Sequence, residues 1–542
     1  MKLNIIGNNN NETALISKYK YNKLHKTQLT IKEEVTLFQN RMKKEGYINN
    51  DLISIITQRD STYTAKIHLK NKIDFIHIYI DSIIYSEKYF SKLNLPKIKD
   101  NYFKLPYNTL ENKLTEYNQI ISSFGYPFSS LKLTEIKEKS KTSLSAKLSI
   151  DIPKSIRKLD KIIIKGYEKF PKSYLKRYLK IRPTKIFNLV SINKKAISLS
   201  NLSFAKQNKE AEVLFSKDST HLYLYLEKKS SNSFDGFIGF ATNETSNKIE
   251  FNGYLNLLLV NNLNYGESLY LDYKSDQNEQ KNFNLTANLP YIFGSPVGIE
   301  ASLNILKKDS TYINTKQKAS LFFQINDKNS FYGGIESTIS SDLTSNDNLN
   351  NIVDFNSNFY TFRYQYLKRQ NEEKLFQIKT SLNAEFGIGK RKTNLTSTEQ
   401  SIININGHHI FNLNKKNSIY TKGLIQIISS DNYLENEFAP FGGVNTLRGF
   451  SENSLTANSL YILNSEYRYK LSNNLFVNSV IDVANFKNDL LNQKENLFGF
   501  GFGFGALTKG GLLRFIYANG KKENSSFKLS NSRIHLSLTS IF

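Results

Sequence analysis

Arg448 is set in surroundings that ask much of a charged side chain. It lies in Phe441-Gly442-Gly443-Val444-Asn445-Thr446-Leu447-Arg448-Gly449-Phe450, with apolar Leu447 and Phe450 close on either side. Gly442 and Gly443 let backbone approach backbone, because no Cβ blocks either sign of φ. Gly449 permits a sharp bend directly after the arginine. A guanidinium among apolar neighbours, if buried, needs a carboxylate or a wall of acceptors. The chemistry on offer is charge pairing in a dry interior, not bond making. Elsewhere the reactive residue types are poorly placed for catalysis. His25, His68, His77, His221, His408, His409 and His535 include no metal-binding spacing such as His-Glu-x-x-His. His408 and His409 are neighbours on a strand-like run and so face opposite ways. The chain has no cysteine and no Gly-x-Ser-x-Gly elbow. No enzyme activity, metal or cofactor is expected.

The elements that would have to hold Arg448 lie in the second half, and composition marks where that half begins. Residues 1–230 carry 43 Lys+Arg and 21 Asp+Glu, whereas residues 231–542 carry 30 and 27. The net +25 therefore belongs almost wholly to a basic N-terminal arm. Glycine runs the other way: only Gly7, Gly46, Gly125 and Gly166 of the 26 fall in the arm. A basic arm suits an acidic partner, an anionic surface or nucleic acid. Nothing resembles a helix-turn-helix, a zinc-finger spacing or an RNA-binding aromatic motif, so nucleic acid is not expected. No run of about 18 apolar residues could form a transmembrane helix. Met1-Lys2-Leu3-Asn4-Ile5-Ile6-Gly7-Asn8 lacks the apolar core of a secretory signal, so an exported chain would have had its signal trimmed from this sequence.

The arm reads as repeats of one small α/β unit. Thr30-Ile31-Lys32-Glu33 predicts a capping box opening a helix through Val35, Phe38 and Met42, which stops at Gly46-Tyr47. Asn108-Thr109-Leu110-Glu111 predicts a second box, and that helix stops at Gly125-Tyr126, 79 residues after the first stop. Paired alternating strands follow each stop, Leu52–Thr57 with Tyr63–Leu69 and Leu131–Ile136 with Ser143–Ile150. A third copy opens at Lys161-Ile162-Ile163-Ile164-Lys165-Gly166. A period near 80 residues implies copies of one module, with boundaries at 1–80, 81–158 and 159–230.

From Phe234 onward the helical period gives way to alternation. Sixteen strand-like runs begin near 234, 248, 267, 281, 297, 316, 328, 355, 373, 401, 417, 457, 473, 495, 512 and 531. Short turns alternate with longer polar connections around 341–354, 390–400, 430–456, 485–494 and 520–530, as in a barrel crossing a membrane with strands of about 10 residues. Hydrocarbon satisfies no backbone N–H or C=O, so an antiparallel sheet in lipid must close on itself. In Phe498-Gly499-Phe500-Gly501-Phe502-Gly503-Phe504-Gly505 the rings face one way and the glycines the other. The glycine face (Gly499, Gly501, Gly503 and Gly505) leaves room inside for the Arg448 loop. In the last strand Ile534, Leu536, Leu538 and Phe542 share the outward face, which Ser540 interrupts.

The loop resembles the (Val/Leu)-Arg-Gly-(Phe/Tyr) signature of the BamA/TamA superfamily of outer-membrane assembly and translocation proteins. The arm units resemble its POTRA domains in their order of strand, helix, helix, strand, strand. The terminal Phe542 resembles the C-terminal recognition signal of bacterial outer-membrane barrels. Val480-Ile481-Asp482-Val483-Ala484 is similar to the superfamily's Phe-x-Asp-x-Gly strand motif, departing from it at Val480 and Ala484, and Glu466 matches the acidic position of the preceding strand. Leu263-Asn264-Tyr265-Gly266-Glu267 and Leu289-Pro290-Tyr291 are further echoes. The resemblance implies periplasmic α+β modules followed by an all-β, 16-stranded antiparallel barrel in the outer membrane. It implies that the sixth external loop folds into the lumen, where Arg448, with Gly442, Gly443, Gly449 and Phe450 around it, meets Asp482 and Glu466. The expected function is insertion of unfolded barrel clients at a weak seam between the first strand (Gly236, Ile238, Gly239) and the last (Ile534, Leu536, Leu538, Phe542), with Ile238 expected near Leu538. Periplasmic or lipoprotein accessory partners would fit that role. The alternatives are a pore of the two-partner-secretion type, or a passive channel or surface antigen.

Overall fold

The computed structural model describes all residues except 59–60, 82–88, 243–248, 276–279, 345–351, 371–372, 509–510, 527 and 542. For 58, 237–242, 249–252, 537 and 539–541 it describes the backbone alone. Two compact units emerge, one of residues 1–161, 183–192 and 213–221, the other of 162–182, 193–212 and 222–542.

The first module contains β1 (Lys2–Gly7), α1 (Asn10–Ile16), α2 (Gln28–Lys44), β2 (Asp51–Gln58) and β3 (Thr62–His68), in a sheet ordered β1-β3-β2. Ile31, Val35, Phe38 and Met42 of α2 pack on Leu3, Ile5, Ala65 and Ile67 of the sheet. The helix starts one turn earlier than its sequence suggests. Thr27 is the N-cap and accepts from the Thr30 N–H, while Thr30 sits at the third helical position and answers it. Thr30 and Glu33 are therefore inside the helix, because Thr27 already satisfies the free N–H groups.

The second module contains β4 (Phe75–Tyr79), β5 (Tyr102–Pro106), α3 (Leu110–Ser123), β6 (Ser130–Ser140) and β7 (Ser143–Asp151), ordered β5-β4-β7-β6. Since β4 runs parallel to β7, it belongs to this sheet, and the boundary falls before Phe75 instead of at residue 80. Asn108 lies in a tight turn and caps nothing; α3 begins after Thr109 without a side-chain cap. The third set of elements is β8 (Lys161–Lys165), α4 (Lys172–Arg177), α5 (Leu189–Ile197), β9 (Ala205–Phe215) and β10 (Thr220–Lys228), ordered β8-β10-β9.

The rest is one ring of sixteen antiparallel strands. Its first eight are β11 (Ser233–Thr242), β12 (Ile249–Val260), β13 (Ser268–Ser275), β14 (Lys281–Leu289), β15 (Val297–Lys308), β16 (Tyr312–Gln324), β17 (Asn329–Asp342) and β18 (Phe355–Arg369). Then come β19 (Ile378–Lys392), β20 (Ser397–Asn412) and β21 (Asn417–Ser430). A small hairpin, β22 (Ala439–Phe441) and β23 (Leu455–Ala457), stands apart from the ring within the next connection. The ring resumes with β24 (Ser459–Lys470), β25 (Leu475–Asn488), β26 (Gln493–Thr508), β27 (Gly511–Lys522) and β28 (Ser532–Ile541).

Side chains alternate as a membrane barrel requires. Ile481 and Val483 are exposed on the outer wall, while Val480, Asp482 and Ala484 between them are buried inside. Phe500, Phe502 and Phe504 likewise lie on the outer surface, a position that lipid favours. Two expected long loops are short: residues 393–396 and 489–492 suffice to join β19 to β20 and β25 to β26. The flanking strands run to 14–16 residues, so polar stretches such as Lys390–Lys392 continue the hairpin past the apolar band instead of leaving the sheet.

The echoes at the turns have a plain structural purpose. Asn261 Oδ1 accepts from the Gly266 N–H, and the Glu267 carboxylate accepts from the N–H groups of Leu263 and Tyr265. The buried Tyr174 of α4 fills the space over Gly266, where a Cβ would strike its ring, and donates to the Gly266 carbonyl at 3.2 Å. It also meets Tyr291 edge to face at 5.0 Å.

Candidate functional site

The connection between β21 and β24 turns back into the ring through Gly442 and Gly443, at φ of +112° and +93°, values that a side chain resists. The Thr446 hydroxyl accepts from the Gly442 N–H and donates to its carbonyl, closing a tight loop. Leu447 is thereby pushed into an apolar cluster with Phe441, Leu460, Ile462, Ala484, Phe486 and Leu497. The next residue, Arg448, points at the wall formed by β24 and β25.

Asp482 receives three N–H groups from Arg448 alone. Nε donates to Oδ2 at 2.9 Å, Nη2 to Oδ1 at 2.5 Å, and the backbone N–H to Oδ2 at 3.0 Å. Nη1 donates to Glu466 at 2.5 Å. All three side chains are almost wholly buried, at 4% exposure for Arg448, 3% for Glu466 and 0% for Asp482. Arg468 completes the charge balance, donating to Glu466 at 2.7 Å and stacking over the rings of Tyr420 and Phe376. Two buried arginines thus face two buried carboxylates, with the more exposed Arg514 a third guanidinium 3.9 Å from Glu466, so that every buried charge has an opposite partner, as a low-dielectric interior demands. Asn464 and Lys422 then hold the loop backbone at the carbonyls of Thr446 and Asn445.

Glycine makes this approach possible at two places. A Cβ on Gly499 would meet the Arg448 carbonyl, and Gly449 and Gly520 lie backbone to backbone. The other glycines of β26 serve different neighbours. Gly501 and Gly503 lie close to the carbonyls of Tyr517 and Phe515 in β27, and Gly505 leaves room for the Phe476 ring. Gly499 thus meets the loop backbone directly, while Val444 of the same loop packs on Val480, Ile516 and Ala518, the residues registered opposite Gly501 and Gly503. Phe450 packs at the edge of the apolar cluster.

A second set of contacts, not foreseen from sequence, holds the root of the loop. Arg391 of β19, 1% exposed, donates to Glu437 at 2.7 Å and also bonds the Asn432 side chain. Glu437 accepts in addition from Gln400 at 2.8 Å. Buried Asn436 donates to Ser340 of β17 at 2.7 Å and accepts from Asn314 of β16 at 2.6 Å. Arg468 could have been found from sequence, since it shares a strand face with Glu466 by period two. The Arg391–Glu437 pair could not, because neither residue stands in a telling pattern.

The seam has a different construction. Among the described residues the register of β11 with β28 comprises Ser233↔Ile541 and Phe234↔Ser540, whereas β11 matches β12 over ten pairs and β27 matches β28 over eight. Ile534, Leu536 and Leu538 are exposed on the outer face. A Cβ on Gly236 would lie 3.1 Å from the Tyr254 carbonyl. Ile238 and Gly239, of which the backbone alone is described, pair with Gly253 and Asn252 on the β12 side. The registered pairs of the seam stop at Phe234, so the expected proximity of Ile238 to Leu538 is neither met nor excluded by backbone pairing among the described residues. Phe542 lies outside the described residues.

No protein-family model matches the sequence, and no curated protein matches it. Solved structures do. BamA from Haemophilus ducreyi lacking POTRA domains 1-3 aligns at a TM-score of 0.52 over 87% of this chain and 100% of that one, at 16% identity. The fold is like that of this BamA barrel. CdiB from Acinetobacter baumannii aligns at 0.55 over 86% of this chain and 89% of its own, at 14% identity. CdiB from Escherichia coli aligns at 0.53 over 95% and 98%, at 13% identity. At such identities the likeness to the BamA and CdiB barrels is one of fold.

Proposed function

We propose that the chain is an outer-membrane assembly factor that inserts client β-strands between β11 and β28. The N-terminal modules would receive unfolded clients in the periplasm, adding an extended segment to an open sheet edge through main-chain hydrogen bonds. The observation that carries this reading is the seam of two residue pairs in a ring whose other junctions are extensive. Strand edges with unsatisfied N–H and C=O groups are templates for further pairing, and lipid offers those groups no other partner. Accessory periplasmic or lipoprotein partners belong to the same proposal, and a catalytic role does not.

The polar interior supports a second reading, export of a polypeptide through the lumen. Space of about 610 Å³ remains between the loop and the strands on both sides of the seam, lined by Asp235, Asp272, Lys274 and Arg514 among others. Disulfide trapping separates the two readings in this cysteine-free chain. Phe234→Cys with Ser540→Cys joins a registered pair. Under insertion, oxidation abolishes client assembly and reduction restores it. Normal client assembly by the oxidised protein would sink the insertion reading and leave export.

A further inference from the structure

Beyond Arg448 the loop turns toward the seam. Gly449 passes over Gly520 of β27, and the Ser451 hydroxyl then accepts from Arg533 Nη2 of β28 at 3.1 Å. Glu452 lies 3.0 Å from Lys274 Nζ of β13. Asn453 donates to Gln280, just before β14, at 3.0 Å. The ring order is β28, β11, β12, β13. Three consecutive loop residues therefore grip strands or connections on both sides of the junction where backbone pairing falls to two residue pairs. The position of Glu452 depends in turn on the folded loop, since its carboxylate occupies the space that a Cβ on Gly443 would fill. Gly443 belongs to the turn that presents Arg448.

We propose that Ser451, Glu452 and Asn453 form an internal clasp across the seam, so that the locked loop holds β28 to the β13 side and the seam opens only when the clasp releases. The biological meaning rests on the insertion reading above; the mechanical coupling does not. Exposed polar contacts of this kind are individually weak. Here they compete with a junction of two residue pairs, so they are large enough to set the balance between closed and open states.

The test places nitroxide labels on Tyr273→Cys and Ile534→Cys, which take the outward parity of β13 and β28, and measures their distance distribution by pulsed electron resonance in lipid. Ser451→Ala with Glu452→Ala is expected to raise the longer-distance population about threefold, the effect of losing weak contacts of this kind. Exchanging the charges, with Lys274→Glu and Glu452→Lys, is expected to return the distribution to that of the parent protein, which a folding defect would not do. An unchanged distribution in the alanine variant, or a failure of the exchange to restore it, overturns the clasp. Client assembly measured on the same variants judges the insertion reading separately. A seam that widens without any change in client assembly sustains the clasp and counts against insertion.

Discussion

The wall at β24–β25 and the seam at β11–β28 belong to one ring but are held in opposite ways. At the wall, one arginine meets two buried carboxylates, backed by Arg468 and by glycines that let the backbones touch. At the seam, two residue pairs and a few exposed polar contacts connect the ends of the sheet. The contrast teaches that closure of a barrel and rigidity of a barrel are separable. Cohesion is concentrated where Arg448 seats, so that under the proposed clasp the first and last strands can part once Ser451, Glu452 and Asn453 let go, with Arg448 still in place.

The largest expected effect comes from breaking the wall. Asp482→Ala strips Arg448 of three donated bonds and leaves a buried guanidinium half-paired, a loss of about 3–5 kcal/mol. The loop should become open to external protease, and the barrel should unfold at a lower temperature on heated gels. A loop that stays protected would show that the wall is no stronger than the seam. Arg391→Ala should come next, because Glu437 keeps Gln400 and the Leu434 N–H as partners. We expect roughly 3 kcal/mol, with protease cutting near Asn432 while Arg448 stays seated. Gly499→Val tests the backbone approach without touching a charge. Overpacking there should cost about 1–3 kcal/mol and loosen the loop in the same protease assay. The smallest effect belongs to the seam side. Lys274→Ala should shift thermal unfolding by no more than about 1 kcal/mol, even though it changes how far the seam opens. A large loss of stability from Lys274→Ala would erase the contrast.

Much of this was legible in the sequence, and the failures have a common cause. Sixteen strands follow from period-two alternation, which is local, and their starts lie within about five residues of the observed ones. The facing of Asp482 between Ile481 and Val483 is equally local. Thr27 was missed as N-cap because a Thr-x-x-Thr box competes with the Thr-x-x-Glu three residues later. No local pattern separates β4 from the first module, because only its parallel pairing with β7, more than sixty residues on, assigns it to the second. The Arg391–Glu437 pair is non-local too, and its residues sit at the end of a long strand and in a turn without any repeating pattern. The clasp is likewise set by where the loop travels once folded, and no spacing encodes that.

The two loop anchors also fix how much chain can lie between them. Ten residues separate Glu437 from Arg448, enough to reach roughly 36 Å at full extension. An insertion in that stretch adds slack that both anchors must share, and a deletion pulls one of them off its wall. The short turns at 489–492 and 393–396 carry no such constraint. An epitope displayed in either turn should be silent, whereas the same epitope inserted after Phe438 should unseat the loop, so tolerance to added sequence maps which connection is anchored at both ends.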